Sequence, residues 1–380
     1  MAGKKGGGKK AGGKKQKEAD AAAATLLKIT QLKELKGSYA SNCKFFVAEP
    51  QAPLVKRIET ELKNADGPED IDKIILGSLS LAPNDIYSMT TTFDRYSALS
   101  GLYLWKTKTD LKGLEALASF LCTHPTVASL HLMDCQITPV AARHVQTICK
   151  TSVGLRALVV DHNPLGTEGL SAIFAGIQEN PASVIQKASF RYCEAGSTAA
   201  DAVGAALASN ATLTELQLDG NFLGDAGIGL LARYLRSNTT LKSLFIAANQ
   251  ISNVFPSAAP PIPTPYLTGR TEPIPPSSRP PLPNAQTPLA QFCAALASEN
   301  GSLTFLDLRG NHIGNTGAEH VLEMLKSRKA LLGGKQAEGM MVYVTERMSE
   351  DLFEKIWELN DAMAGSGAKK GKGGKKGKKK

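Results

Sequence analysis

The sequence predicts an α/β solenoid in which short parallel strands alternate with helices. Three observations predict it. A common frame, L-x-x-L-x-L-x-x-N-x-(L/I), recurs at a constant step, 241 − 213 = 28 between the copies that begin at Leu213 and Leu241. Inside each copy, apolar residues first alternate at the strand period and then recur at helical spacing. An asparagine closes the strand at the same place in most copies. LTELQLDGNFLGDAGIGLLARYLRSNTT from Leu213 and LKSLFIAANQIS from Leu241 show the frame most plainly. One such unit cannot bury both its strand face and its helix face, so the units must stack.

Each segment follows in order. Residues 1 to 24 are rich in lysine and glycine and are expected to be a disordered tail, although EADAAAATLLKITQLKELK (18 to 36) carries a weak helical pattern. Residues 25 to 98 hold helices broken at Pro50, Pro53 and Pro68 and are expected to be a helical lead-in and cap, with IDKIILGSLSLAP contributing an irregular strand. Repeats are expected over 99 to 335, with copies beginning at Leu99, Val127, Leu155, Ile185, Leu213, Leu241 and Leu303. The last interval is longer than the others, 303 − 241 = 62, which is one repeat and an insertion. The insertion lies within 252 to 288, where residues 256 to 288 carry twelve prolines and cannot join a strand ladder. RTEPIPP and RPPLP inside it match the loose spacing of ligands for proline-reading domains, and a plain flexible loop accounts for them as well. Residues 336 to 364, with MMVYV and DLFEKIWEL, read as a closing strand and helix, and 365 to 380 as a second basic tail.

The asparagines at 163, 221, 249 and 311 are expected to turn inward and satisfy backbone groups where each strand ends, since buried backbone groups must be paired. Cys135 and Cys193 occupy the same column. They are expected to be small buried residues rather than nucleophiles or ligands. With L-G-D-x-G after the asparagine, as at Leu223 to Gly227, the frame resembles the ribonuclease-inhibitor-like class of leucine-rich repeats. That resemblance implies a horseshoe with parallel strands on the concave face and helices outside.

Charge is segregated. The formal net charge is +9, yet residues 1 to 17 hold seven lysines and 365 to 380 hold eight; removing these fifteen leaves 29 basic against 35 acidic residues, a body charge of 29 − 35 = −6. MAGKKGGGKK lacks the Ser or Thr, the preceding strand and the following helix of a phosphate loop. Six cysteines with no C-x-x-C pair argue against a disulfide framework or zinc site, and the six histidines show no compact ligand spacing. No segment has the apolar length of a membrane span. A non-enzymatic protein is expected, with no cofactor and no metal, reduced thiols and a soluble intracellular location.

The outward strand positions form the expected partner-binding face: Tyr103, Trp105, His131, Met133, Asp161, Arg191, Asp219, Phe245 and Arg309. Tyr, Trp and Arg are the types that anchor protein interfaces, and packing of Trp105 on the N-terminal cap is the alternative reading. LYLWK at 102 to 106, preceded by IDKIILGSLSLAP, resembles the start of the array in the ciliary leucine-rich repeat-containing protein seventy-one of animals. That resemblance implies a cilium, flagellum or cytoskeleton location, where the lysine-rich ends would follow acidic tubulin tails or another polyanion; tails that only aid solubility or direct nuclear import are the alternative. The alternatives are a nuclear or ribosome-associated RNA binder, with nucleic acid as a secondary partner, and a regulator of a small GTPase resembling the Ran GTPase-activating protein. A monomer working inside a larger assembly is the expected state.

Overall fold

The computed structural model describes residues 9–64, 66–253, 286–333 and 339–364. Expectations for 1–8, 254–285 and 365–380, including the proline motifs, lie outside the described residues. The chain divides into two compact units, Met1–Gln136 with Ser152–Ala157, and Ile137–Thr151 with Leu158–Lys380.

The first unit opens with helix α1 (Lys9–Phe46), followed by α2 (Ala52–Leu62), β1 (Lys73–Gly77), α3 (Pro83–Phe93), β2 (Gly101–Trp105), α4 (Leu111–Thr123) and β3 (Ser129–Met133). Helix α1 is built from Ala, Lys, Leu and Glu with no proline before Pro50, so nothing interrupts it. It corrects the expectation of a disordered segment through residue 24. Leu32, Leu35, Tyr39 and Cys43 form its one buried stripe, and it packs against α3. Asp110 caps α4 by accepting the Gly113 N–H at 2.9 Å.

β1 lies in the stretch expected to give an irregular strand, and it is regular. It pairs parallel with β2, Lys73 opposite Gly101 and Gly77 opposite Trp105, and β2 pairs with β3 at the same offset, Gly101 opposite Ser129. Ile74 and Leu76 are buried as Leu102, Leu104, Leu130 and Leu132 are. The repeats therefore begin before Leu99, inside the segment expected to be a helical lead-in and cap with an irregular strand.

The second unit holds α5 (Ala142–Thr151), β4 (Ala157–Val159, shared at its first residue with the first unit), α6 (Gly166–Glu179), β5 (Lys187–Ser189), α7 (Ala199–Ser209), β6 (Glu215–Gln217) and α8 (Gly224–Leu235). It continues with β7 (Ser243–Phe245), α9 (Pro288–Ser298), β8 (Phe305–Asp307), α10 (Gly314–Gly333), β9 (Met341–Tyr343) and α11 (Glu350–Ala364). β5 to β9 pair parallel in chain order, Ala188 opposite Leu216, Leu216 opposite Leu244, Leu244 opposite Leu306 and Leu306 opposite Val342. The long interval between β7 and β8 leaves their register intact. Helices α5 to α11 pack each on the next. Apolar residues on the helix side of each strand, such as Leu216, Leu218, Leu244, Ile246, Leu306 and Leu308, form the core with Phe174, Phe190 and Phe292.

The insert is shorter than expected. Ser252 bridges to His312 in the repeat frame and donates its N–H to Asp225 at 2.7 Å. Thr287 donates its hydroxyl to Asn253 at 2.6 Å and caps α9 through the Ala290 N–H. The two ends of the insert are thus pinned together at its base.

Candidate functional site

Buried side chains at the strand ends fix the strand face. Asn221 is fully buried; its carbonyl accepts the N–H groups of Cys193 and Ala195, and its amide donates to the carbonyls of Phe190 and Leu218. Asn311 does the same for Asn249, Ile251, Ile246 and Leu308. Asn249 accepts from Leu223 and donates to Leu218 and Ala247, and Asn163 accepts from Ile137 and donates to Val160 and Asp161. Cys135 and Cys193 stand in this column with their thiols against the carbonyls of Leu104 and Val160. Burial pushes the Cys135 thiol up to about 11 and the Cys193 thiol up to about 12, so neither supplies a thiolate near neutral pH. Thr107 fills the same place one repeat earlier, its hydroxyl reaching the carbonyls of Leu76 and Trp105. No asparagine stands there, so the period alone marks it.

With the strand ends held this way, residues two apart point to the strand face. In the first unit that face is aromatic and apolar. Tyr103 is half-buried and lies back over Gly101, where a Cβ would come within 2.6 Å of its ring. Its ring meets that of His131 at 4.3 Å. Trp105 rests over Gly77 yet stays 53% exposed, with Lys106 Nζ 5.1 Å from its ring centroid. Met133 is half-buried, and Ile75 on β1 is 65% exposed. Ile75 is absent from the face expected on sequence, although it stands one repeat before Tyr103 and pairs with it.

In the second unit the face carries charged side chains that pair with one another, beside the rings of Phe245 and Tyr343. Asp161 is 6% exposed. It accepts the Ser189 hydroxyl at 2.6 Å and the Arg191 N–H at 2.9 Å, and Ser189 is also within 3.0 Å of Gln217. Both bonds fall on Oδ1, and Asp161 is buried where the outward strand position suggests an exposed side chain. Arg191 Nε lies 2.9 Å from Asp219 Oδ2, and Asp219 also accepts the Ala247 N–H. Burial pushes the Asp219 carboxyl above its usual range, against the pull of Ala247 and Arg191. Arg309 forks onto Asp307 with contacts of 2.6 to 3.1 Å, and that pairing raises the Arg309 guanidinium above its ordinary value. Phe245, Phe305 and Tyr343 form a ring row with centroids 4.9 and 5.1 Å apart. Arg191 sits over Phe245 at 6.0 Å and Arg309 over Tyr343 at 5.3 Å. Phe245 and Asp219 are half-buried and Arg309 is exposed.

The described residues contain no cluster of three or more His, Cys, Asp or Glu side chains arranged to hold a metal. No helix among them is long and apolar enough to cross a membrane.

Comparison with known proteins agrees with this geometry. The family model described as Leucine Rich repeat matches residues 155–174, 209–232 and 299–321. The chain is 33% identical over 107 residues to the ribonuclease inhibitor of Mus musculus, covering 28% of this chain and 23% of that protein. It is 27% identical over 164 residues to NACHT, LRR and PYD domains-containing protein 4C of Mus musculus, covering 43% of this chain and 16% of the relative. These matches span less than a quarter of either relative. Among solved structures, leiomodin-1 actin-binding site 2 aligns with a TM-score of 0.36 at 11% identity, over 52% of this chain and 90% of that one. The three matched spans are leucine-rich repeats, and the repeat frame is similar to that of the ribonuclease inhibitor.

Proposed function

We propose that the chain is a non-catalytic scaffold whose repeats bind a protein partner and whose lysine-rich ends hold it to an acidic polymer. The polymer we assign is a microtubule, in the cytoskeleton or in the axoneme of a cilium or flagellum. The observation that carries the reading is the exposed tryptophan on a strand face: Trp105 stands beside Tyr103 and Met133 with half its surface open. An exposed Trp beside a Tyr is the make-up of an interface anchor, because large rigid rings bury much area at small entropic cost. Leucine-rich repeats of this kind generally serve as binding scaffolds. Fifteen lysines at the two ends supply long-range attraction to a polyanion, while the acidic body supplies none.

The test is co-sedimentation of the full chain with stabilised microtubules, intact or with their acidic tails cleaved off. Pelleting is expected to need the acidic tails, to drop when residues 1 to 17 and 365 to 380 are removed, and to weaken steeply as salt rises. Equal pelleting without both ends removes the tether. Stronger retention by an RNA homopolymer than by microtubules moves the protein to the nucleic-acid reading.

A further inference from the structure

The outer edge of β1 is open. Asp72 C=O accepts the N–H groups of Ser100 and Gly101 at 2.7 and 3.2 Å, and Ser78 N–H donates to Trp105 C=O at 2.8 Å. Alternate residues of a strand bond to opposite sides, so the even-numbered residues of β1 serve β2. The N–H and C=O groups of Lys73, Ile75 and Gly77 therefore point away from β2. All three residues are exposed, and among the described residues none of these outward groups meets a hydrogen-bond partner. Beside them lies a cavity of about 410 Å³ lined by α2 residues Pro53, Leu54 and Arg57 and by Asp72, Lys73 and Ile75.

The opposite edge is closed. On β9, the Val342 N–H donates to Asn360 Oδ1 at 2.9 Å and the Val342 C=O accepts from Asn360 Nδ2 at 2.8 Å. The buried Asn360 amide of α11 thus takes the place that a next strand would fill.

We propose that the outer edge of β1 is a strand-addition site that receives an extended segment of a protein partner, with an apolar side chain beside Ile75. This rests on the reading of the repeats as a protein-binding scaffold and names the place and form of contact. Alternating donors and acceptors fit an extended backbone, and main-chain bonds supply affinity in such additions while side-chain pockets supply selectivity. The apolar requirement comes from Ile75: Tyr103, with a neighbour on each side, is half-buried, whereas Ile75 is 65% exposed because its outer neighbour is missing. Pro53 and Leu54 form the facing wall. Arg57 and Lys73 at the mouth are already matched by Glu61 at 3.0 Å and Asp72 at 3.7 Å, so the segment need not bring charge. A second copy cannot add its β9, whose outer groups Asn360 occupies.

Residue-resolved hydrogen exchange on the free full chain tests the open edge: amides of Lys73, Ile75 and Gly77 are expected to exchange at least about tenfold faster than those of Ile74 and Leu76. Equal protection overturns the proposal. A fluorescein-labelled peptide of residues 71 to 80, the array's own strand pattern, is then titrated against the full chain by anisotropy. Saturable binding is expected, weakened at least about tenfold by Ile75→Pro, which deletes an outward N–H at a position where an edge strand tolerates proline. If Ile75→Pro does not fold, Ile75→Lys keeps the backbone and sets a charge on the edge. Unchanged affinity in the folded variant overturns the site, and so does a full-chain dimer that Ile75→Pro dissolves, which would assign the edge to self-pairing. Microtubule pelleting is read in parallel. Loss of peptide binding sensitivity with pelleting intact sinks only the edge site, and loss of pelleting with the peptide result intact sinks only the tether.

Discussion

The first and last strands face the same physical problem and meet it differently. An inner strand gives its backbone groups to two neighbours; β1 and β9 each lack one. At β9 a single amide, Asn360, answers one donor and one acceptor of Val342. At β1 the groups of Lys73, Ile75 and Gly77 are left toward solvent, next to the cavity bordered by α2. Exposed edges invite added strands, and folded proteins usually blunt them. The difference teaches that capping is not a generic property of the ends of an array. One end is finished by a side chain that mimics a peptide group, and the other keeps the template.

Proline is the sharpest probe of that difference. Val342→Pro deletes a buried, bonded N–H and is expected to cost about 3 kcal/mol or more. Ile75→Pro deletes an outward N–H and is expected to cost less than about 1 kcal/mol. Urea midpoints at constant slope measure both, and equal losses would erase the contrast. Asn360→Ala comes next, leaving the Val342 N–H and C=O without the amide, at an expected cost of about 2 to 3 kcal/mol. The Val342 amide should then exchange as fast as that of Ile75, and unchanged exchange would show that another group seals β9. The smallest effect on stability is expected from Trp105→Ala, under about 1 kcal/mol for a half-exposed ring. That substitution should still weaken binding of a partner to the first unit's strand face. Arg191→Ala, in the self-paired ladder of the second unit, should do the reverse, costing about 1 to 3 kcal/mol by stranding half-buried Asp219 while leaving that binding unchanged.

Much of this was legible in the sequence. The repeat step placed the buried asparagines because each copy has the same strand-end geometry. It also placed Cys135 and Cys193, since a column position fixes burial whichever small residue fills it. The first strand, β1, carried the same signal, with Ile74 and Leu76 lying one repeat before Leu102 and Leu104. It was obscured because Leu79 stands where later copies hold Asn, and Pro83 breaks the pattern soon after. Strand polarity was legible too, but not which outward charges were spoken for. Asp161 reads as an exposed binding residue until Ser189 and Arg191, one repeat further on, are seen to bond to its Oδ1 while it lies buried.

The sequence by itself determined the period, the strand and helix faces, the core, and the separation of basic ends from an acidic body, because each follows from residue types at fixed spacing. The tertiary structure decided which polar groups find partners, because a hydrogen bond needs its atoms within about 3 Å and in line. Asn360 is well separated from Val342 along the chain, and only the docking of α11 on β9 brings its amide to 2.9 Å. No spacing rule distinguishes that asparagine from one on a solvent face, and none shows that β1 has no counterpart among the described residues.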